Sequence, residues 1–255
     1  MRITVKVGTS TLAHPTGRIN IRRVEELVKV LSDLKNAGNE IILVSSGAIG
    51  MGAGKLSLSE RPRDIPTKQA AAAVGQCELM YVYDKLFSEF NHTVAQLLMT
   101  GADFKAPDRH ENFNNTMNRL IELGTIPVIN ENDTVATEEI GVGDNDTLSA
   151  LVAESVGADL LILLSDIDGL YTADPRKNAD AKFIDEIHEL TPDIMALGGG
   201  AGSSQGTGGM KTKLSAAAIC LASGCDMIIA NGEDPRLLYD IADGKKVGTR
   251  FFAKR

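Results

Sequence analysis

No apolar stretch of the sequence approaches the ~18 residues that cross a bilayer as a helix. The richest run, Leu160 to Leu164, is the size of a strand. A membrane-spanning helix is excluded on that ground, and no membrane partner is expected. Basic residues are in deficit: 26 Lys and Arg against 34 Asp and Glu give a formal net charge of −8. A general nucleic-acid binder usually carries a basic footprint, so no nucleic acid is expected. An anionic small ligand stays open, because local charge can oppose net charge. Cysteine is scarce. Cys77, Cys220 and Cys225 are odd in number and lack metal spacing, which fits a reducing, cytoplasmic setting. The Asn-x-Ser/Thr matches, such as Asn145-Asp146-Thr147, then carry no meaning as glycosylation sites. Lys6 stands where an export signal would be apolar, so none is expected. Tryptophan is absent, and no internal repeat or composition shift marks a linker.

What is present is glycine, 25 residues, within an otherwise ordinary soluble composition of 43% hydrophobic and 24% charged residues. Such a chain has many tight turns and close backbone approaches. Its length allows one large α/β domain or two small ones. The apolar pattern alternates between periods. A strand is expected over Ile3–Val7, ending in Gly8-Thr9-Ser10. A helix follows from about Ile21, capped by Asn20, with Ile21, Val24, Val28, Leu31 and Leu34 on its apolar stripe and Gly38 beyond its end. Ile41 to Val44 reads as a strand buried on both faces, ending in Ser45-Ser46-Gly47. Further helices are expected over about Lys68–Phe90, Asn112–Leu123, Asp146–Ser155, Met210–Ser223 and Pro235–Ala242. Further strands are expected over Thr93–Met99, Ile126–Ile129, Leu160–Leu164, Met227–Ala230 and Val247–Phe252. Strands alternating with helices predict a largely parallel sheet with helices on both faces. Ligands of such folds bind beyond the carboxyl ends of the strands. Lys6, Ser46, Asp133 and Asp166 should therefore meet along one edge. Lys55–Pro66 and Leu197–Gly209 are expected to be mobile functional loops.

Standard phosphate fingerprints fail. The Walker pattern is broken by Ile49 and Leu56 around Gly54-Lys55, and G-x-G-x-x-G occurs nowhere. Lys6-Val7-Gly8-Thr9-Ser10 is another arrangement, a strand lysine before a small-residue turn that could cradle phosphate. An ordinary edge-strand lysine would look the same. Ser45-Ser46-Gly47 before a helix is open between an anion site and a simple cap. Gly143-Asp144-Asn145-Asp146 has more polar groups in a row than capping requires, which favours a site. Asp166-Ile167-Asp168-Gly169 lacks the later ligands of a calcium loop, and no metal held by protein alone is expected. Thr207 to Lys213 joins glycines to a helix whose first turn is basic, against the macrodipole; that placement points to a ligand. His14, His92, His110 and His188 are scattered, and no nucleophilic triad is supported.

Together, VKVGTS at 5–10, VSSGAIGMG at 44–52, KQAAAAVGQ at 68–76, VINENDTVATEEIGVGDNDTLSA at 128–150, SDIDGLYTADPR at 165–176 and GTGGMKTKL at 206–214 resemble the glutamate 5-kinases of the amino acid kinase family. The resemblance covers nearly the whole chain. It implies a three-layer α/β/α sandwich around a largely parallel sheet, in accord with the independent reading. It implies one amino acid kinase domain over 1–255, without the C-terminal PUA domain of many bacterial relatives. Carried over by position, the catalytic residues are Lys6 and Lys213, oriented by Asp146. ATP falls on Lys6, Gly8, Ser165, Asp166, Thr207, Gly208, Gly209, Met210, Lys211, Thr212 and Lys213. Glutamate falls on Ser46, Asp133 and Asn145. Many relatives have Thr where this chain has Ser165; both supply a hydroxyl.

The implied reaction is the ATP- and Mg²⁺-dependent phosphorylation of L-glutamate to L-glutamyl 5-phosphate, which opens proline biosynthesis. Its acceptor carboxylate, with a reference pKa of ≈ 4.3, is ionised at neutral pH. No general base is needed, consistent with the scattered histidines. The resemblance further implies feedback inhibition by L-proline, a homo-oligomer, and functional coupling to a glutamyl-phosphate reductase. Another kinase of the family, acting on aspartate, N-acetylglutamate or UMP, and a non-catalytic ligand-binding module are the alternatives.

Overall fold

The computed structural model describes residues 1–14, 18–60, 62–136, 145–199 and 209–254. The first half runs β1 (Arg2–Val7), α1 (Thr9–Leu12), α2 (Ile21–Asn36), β2 (Glu40–Ser45), α3 (Ala48–Lys55), α4 (Ile65–Ser88), β3 (Val94–Met99), α5 (Gly101–Lys105), α6 (Pro107–Glu122) and β4 (Ile126–Glu131). The second half runs α7 (Asn145–Ser155), β5 (Leu160–Ser165), β6 (Leu170–Tyr171), β7 (Phe183–Ile184), β8 (Glu186–Ile187), α8 (Pro192–Ala196), α9 (Met210–Ala222), β9 (Asp226–Asn231), α10 (Leu237–Ala242) and β10 (Thr249–Phe251). Among the described residues no helix is long and apolar enough to cross a membrane.

One eight-stranded sheet, in the order β3-β4-β2-β1-β5-β9-β10-β8, takes strands from both ends of the chain. β3 through β9 in that order are parallel, and β10 is antiparallel to β9. The strands alternate faces with period two. Ile3, Val5 and Val7 of β1 pack with Val24, Val28 and Leu31 of α2 and with Leu79 and Tyr83 of α4. On the opposite face Leu161 and Leu163 of β5 pack with Leu148 and Val152 of α7 and with Leu214 and Ala217 of α9. Two cores on either side of one sheet make the expected three-layer α/β/α sandwich. The same alternation turns Lys6, between Val5 and Val7, toward the face covered by α7 and α9.

Local chemistry accounts for most element ends. Asn20 caps α2 by accepting from the Arg23 amide at 3.3 Å. α4 starts at Ile65 rather than Lys68, because Asp64 accepts from the Thr67 amide at 2.9 Å and Pro66 fits the first turn. α6 starts at Pro107 rather than Asn112 for the same proline reason. The stretch expected as a mobile loop over Lys55–Pro66 gives its ends to α3 and α4, and residues 200–208 of the second such stretch lie outside the described residues. α3 and α4 cross closely. A Cβ at Gly52 would lie 1.8 Å from the Ala71 carbonyl oxygen, and one at Gly75 1.8 Å from that of Ala48. A side chain at either position would push the two helices apart.

Candidate active site

The carboxyl ends of β1, β2, β4, β5 and β9 share one edge, since Val7 pairs with Ser45 and Leu164, and Ser165 pairs with Asn231. Lys6 is the penultimate residue of β1. Asp146 is the second residue of α7, and Lys213 lies one turn into α9. The Lys6 Nζ stands 2.6 Å from Asp146 Oδ1 and the Lys213 Nζ 2.9 Å from Asp146 Oδ2. The Thr212 hydroxyl also donates to Asp146 Oδ2, at 3.2 Å. All three charged side chains are buried, Asp146 completely. Burial alone would push the Asp146 carboxyl up; the adjacent Lys6 and Lys213 ammonium groups outweigh it and hold the carboxyl down at about 2. One carboxylate thus carries two ammonium groups, leaving a net positive charge under the sheet edge.

The surrounding backbone suits an anion. Gly209 precedes α9 and Gly47 precedes α3, and neither supplies a side-chain cap. Their first N–H groups are orphan donors on the positive end of a helix. Gly47 has φ +106, the left-handed region where glycine is favoured. Gly8 directly follows β1. A Cβ there would stand 3.7 Å from the Lys6 Nζ. Ser165 ends β5, and its hydroxyl donates to Asp166 Oδ1 at 3.2 Å. The neighbouring Asp168 Oδ1 accepts from Asn231 Nδ2 at 2.8 Å. Among the described residues no group of three His, Cys, Asp or Glu side chains is arranged to hold a metal ion.

A second cluster adjoins the first. Asn145 Nδ2 donates to Ser46 Oγ at 2.6 Å and to Asn130 Oδ1 at 3.1 Å. Ser45 at the end of β2 is fixed by the buried Tyr83 hydroxyl, 2.9 Å from its Oγ. Asp133 follows β4 by two residues and is half-buried. Burial pushes its carboxyl above the usual range, as expected of a carboxylate in want of a cation.

Of the positions singled out from sequence, Lys6, Asp146, Lys213 and Thr212 come together in one cluster, and Ser46 and Asn145 in the other. Gly8, Ser165, Asp166, Gly209, Met210 and Lys211 lie on the same edge or in the first turn of α9, and Asp133 stands in the turn beyond β4. Thr207 and Gly208, like Gly143 and Asp144, lie outside the described residues. Asn130 and Gln76 were not legible as site residues. Their signal is slight: a polar side chain within an Ala-rich helix, and an asparagine near the end of an apolar strand.

Comparison with known proteins follows this geometry. The model of the amino acid kinase family matches residues 1–231. The chain belongs to the amino acid kinase family. Every candidate residue from Lys6 to Lys213 falls inside the matched span. A glutamate 5-kinase of Clostridium perfringens is 53% identical to the chain, over all of it and 96% of that relative. One of Caldanaerobacter subterraneus is 54% identical over 98% of the chain and 68% of that relative, and one of Listeria innocua 53% over all of the chain and 94% of its own length. Within the family, the chain groups with these glutamate 5-kinases. Solved structures share its fold at lower identity. The carbamate kinase of Giardia lamblia superposes with TM-score 0.68 at 18% identity, over 99% of the chain and 98% of that protein. The isopentenyl phosphate kinase of T. acidophilum does so with 0.66 at 19%, over 98% and 100%.

Proposed function

We infer that the chain transfers the γ-phosphoryl group of ATP to the side-chain carboxylate of L-glutamate, giving ADP and L-glutamyl 5-phosphate, the first step of proline biosynthesis. The observation that carries the reading is the buried Asp146 carboxylate holding the Lys6 and Lys213 ammonium groups. A carboxylate oxygen attacks the γ-phosphorus, the bond to the β-phosphate oxygen breaks, and ADP leaves with that electron pair. No proton has to move. What remains is the approach of two anions and the charge on the moving phosphoryl group. Two ammonium groups in a low-dielectric site meet both demands, and Asp146 keeps them in place without solvent reorganisation. Mg²⁺ would arrive on the ATP phosphates and add charge neutralisation there.

The nucleotide is assigned to Gly8, Ser165, Asp166 and the stretch Thr207 to Lys213. The amino acid is assigned to Ser46, Asp133 and Asn145. The raised Asp133 carboxyl is matched by the substrate α-ammonium, which restores the lost solvation as an ion pair. The uncapped N-terminus of α3 beside Ser46 offers N–H donors to a carboxylate. L-proline shares the α-carboxylate and the ammonium, so we expect it to inhibit in competition with glutamate and not with ATP. We take residues 1–255 as one kinase domain, since one sheet draws strands from both ends of the chain. A cytoplasmic setting suits the free thiols of all three cysteines. The product is a labile acyl phosphate, which favours functional coupling to a glutamyl-phosphate reductase. The expectation of a homo-oligomer is tested by analytical ultracentrifugation.

The deciding experiment traps product with hydroxylamine in the presence of ATP and Mg²⁺. Glutamyl hydroxamate is expected from L-glutamate. Product from aspartate or N-acetylglutamate instead, or ATP consumption that depends on UMP, would overturn the substrate assignment.

A further inference from the structure

Four neutral side chains from four parts of the fold form one hydrogen-bonded row: Ser46 after β2, Asn145 of α7, Asn130 of β4 and Gln76 of α4. Asn145 Nδ2 donates to Ser46 Oγ at 2.6 Å and to Asn130 Oδ1 at 3.1 Å. Asn130 Oδ1 also accepts from the Glu131 backbone N–H at 2.8 Å, and Asn130 Nδ2 donates to Gln76 Oε1 at 2.9 Å. Asn130 and Gln76 are 2% and 7% exposed, so water is a poor substitute for either partner.

A primary amide is nearly symmetric in shape and opposite in polarity at its two ends. Turning one over exchanges a donor for an acceptor, so each amide in a row constrains the next. Asn130 is held from two sides: the Glu131 N–H donates to its Oδ1, and its Nδ2 donates to Gln76 Oε1, whose own Nε2 has no hydrogen-bond partner among the described residues. With Asn130 Oδ1 so directed, Asn145 has to present its Nδ2 to the row, which turns its Oδ1 away from it. That Asn145 Oδ1 is buried and has no hydrogen-bond partner among the described residues. Buried acceptors are rarely left in that state by a fold alone. An acceptor of fixed direction, in a cluster assigned to the amino acid, matches a substrate ammonium.

We propose that Gln76 is a positioning residue for the amino-acid substrate: acting through Asn130, it sets the Asn145 amide so that Oδ1 accepts from the substrate α-ammonium. The inference rests on the glutamate 5-kinase reading. Without the Gln76 acceptor, Asn130 Nδ2 is buried and unpaired, and one of the two locks on the row is gone. The row does not touch the Lys6, Asp146 and Lys213 cluster through any of these bonds, so the effect is confined to the amino acid.

The test is steady-state hydroxamate formation by the full chain, with glutamate and ATP varied in turn, and thermal melting of each variant. Wild type is measured first; if it makes no glutamyl hydroxamate, the functional reading and this inference fall together. Gln76→Met and Gln76→Leu remove the acceptor, whereas Gln76→Glu keeps an oxygen at that position. The apolar variants are expected to raise KM for glutamate about tenfold or more, as for an unpaired buried polar group, with kcat and KM for ATP within about twofold. Gln76→Glu is expected to bring KM for glutamate back to within about threefold of wild type, since it still accepts from Asn130. With an active wild type, the inference alone is overturned by an unchanged KM for glutamate, by equal changes for both substrates, or by a Gln76→Glu variant no better than Gln76→Met. Failure of the apolar variants to fold would also overturn it, since the row would then be a structural need.

Discussion

Asn145 and Asp146 are adjacent in the chain, yet their side chains serve two unlike regions. Asp146 is fully buried and ionic, held between Lys6 and Lys213. Asn145 belongs to a neutral row with Ser46, Asn130 and Gln76. The difference follows the tasks proposed for them. Charge that develops on a moving phosphoryl group is stabilised by fixed ammonium groups whatever its fine direction. A small zwitterion is recognised by donors and acceptors of defined polarity. The first two residues of one helix supply both because successive helical side chains project about 100° apart.

The largest effect is expected from Asp146→Ala. It leaves two buried ammonium groups without their counter-ion, a loss of about 3–5 kcal/mol in stability, and it frees the lysines from the positions proposed for catalysis. Urea denaturation and kcat should both collapse; a stable variant would mean that the lysines find other partners. The pH dependence has a definite sign. The Asp146 carboxyl is depressed in the folded state, so its stabilising contribution is complete above the ordinary carboxyl range and is lost as pH falls toward about 2. The stability difference between wild type and Asp146→Asn should be flat at neutral pH and shrink only in that acid window.

Lys213→Ala comes next. A donor acting on charge in the transition state is worth roughly 100-fold or more in rate. kcat should fall by that order, with KM for glutamate nearly unchanged. A rise in KM for glutamate alone would break the division between the two regions.

Asp133→Asn sharpens it from the other side. Loss of one charge-assisted contact costs about 1.5–3 kcal/mol of glutamate affinity, while ATP binding should hardly move. The Asp133 carboxyl is raised by burial, so wild-type kcat/KM for glutamate should decline as pH falls through a value above the ordinary carboxyl range. In Asp133→Asn the decline should move down to the range where the substrate carboxylate itself protonates, near its reference pKa of ≈ 4.3.

The smallest effect is expected from Gly75→Ala. Its Cβ would meet the Ala48 carbonyl and force α3 away from α4, costing about 1–3 kcal/mol by overpacking. Ser46 precedes α3 and Gln76 lies in α4. KM for glutamate should therefore rise more than KM for ATP. Equal changes would show that the two regions move as one body.

Much of this was legible in the residues. Lys6 stands next to last in an apolar strand, so its place at the carboxyl edge of the sheet follows from pattern, whereas its grouping with Asp146 and Lys213 comes from the family resemblance. Gln76 and Asn130 were not legible as partners, because a neutral amide has no charge pattern and its mate is 54 residues away. The short elements α5, α8 and β6 to β8 escaped pattern reading because two to five residues hold too little periodicity. β10 was read as a strand, but its antiparallel direction depends on which neighbour it meets.

The sequence by itself determined the alternation of strands and helices, the glycine and cap positions that end them, and the polar residues those ends carry. Each of these is a local property, set by side-chain period and backbone freedom over a few residues. Only the tertiary structure decided that Lys6 and Lys213 share one carboxylate, and which end of each amide faces its neighbour. Those outcomes depend on pairings between distant segments in a water-excluded interior. There an unmatched charge or donor is too costly to keep, and one arrangement is selected.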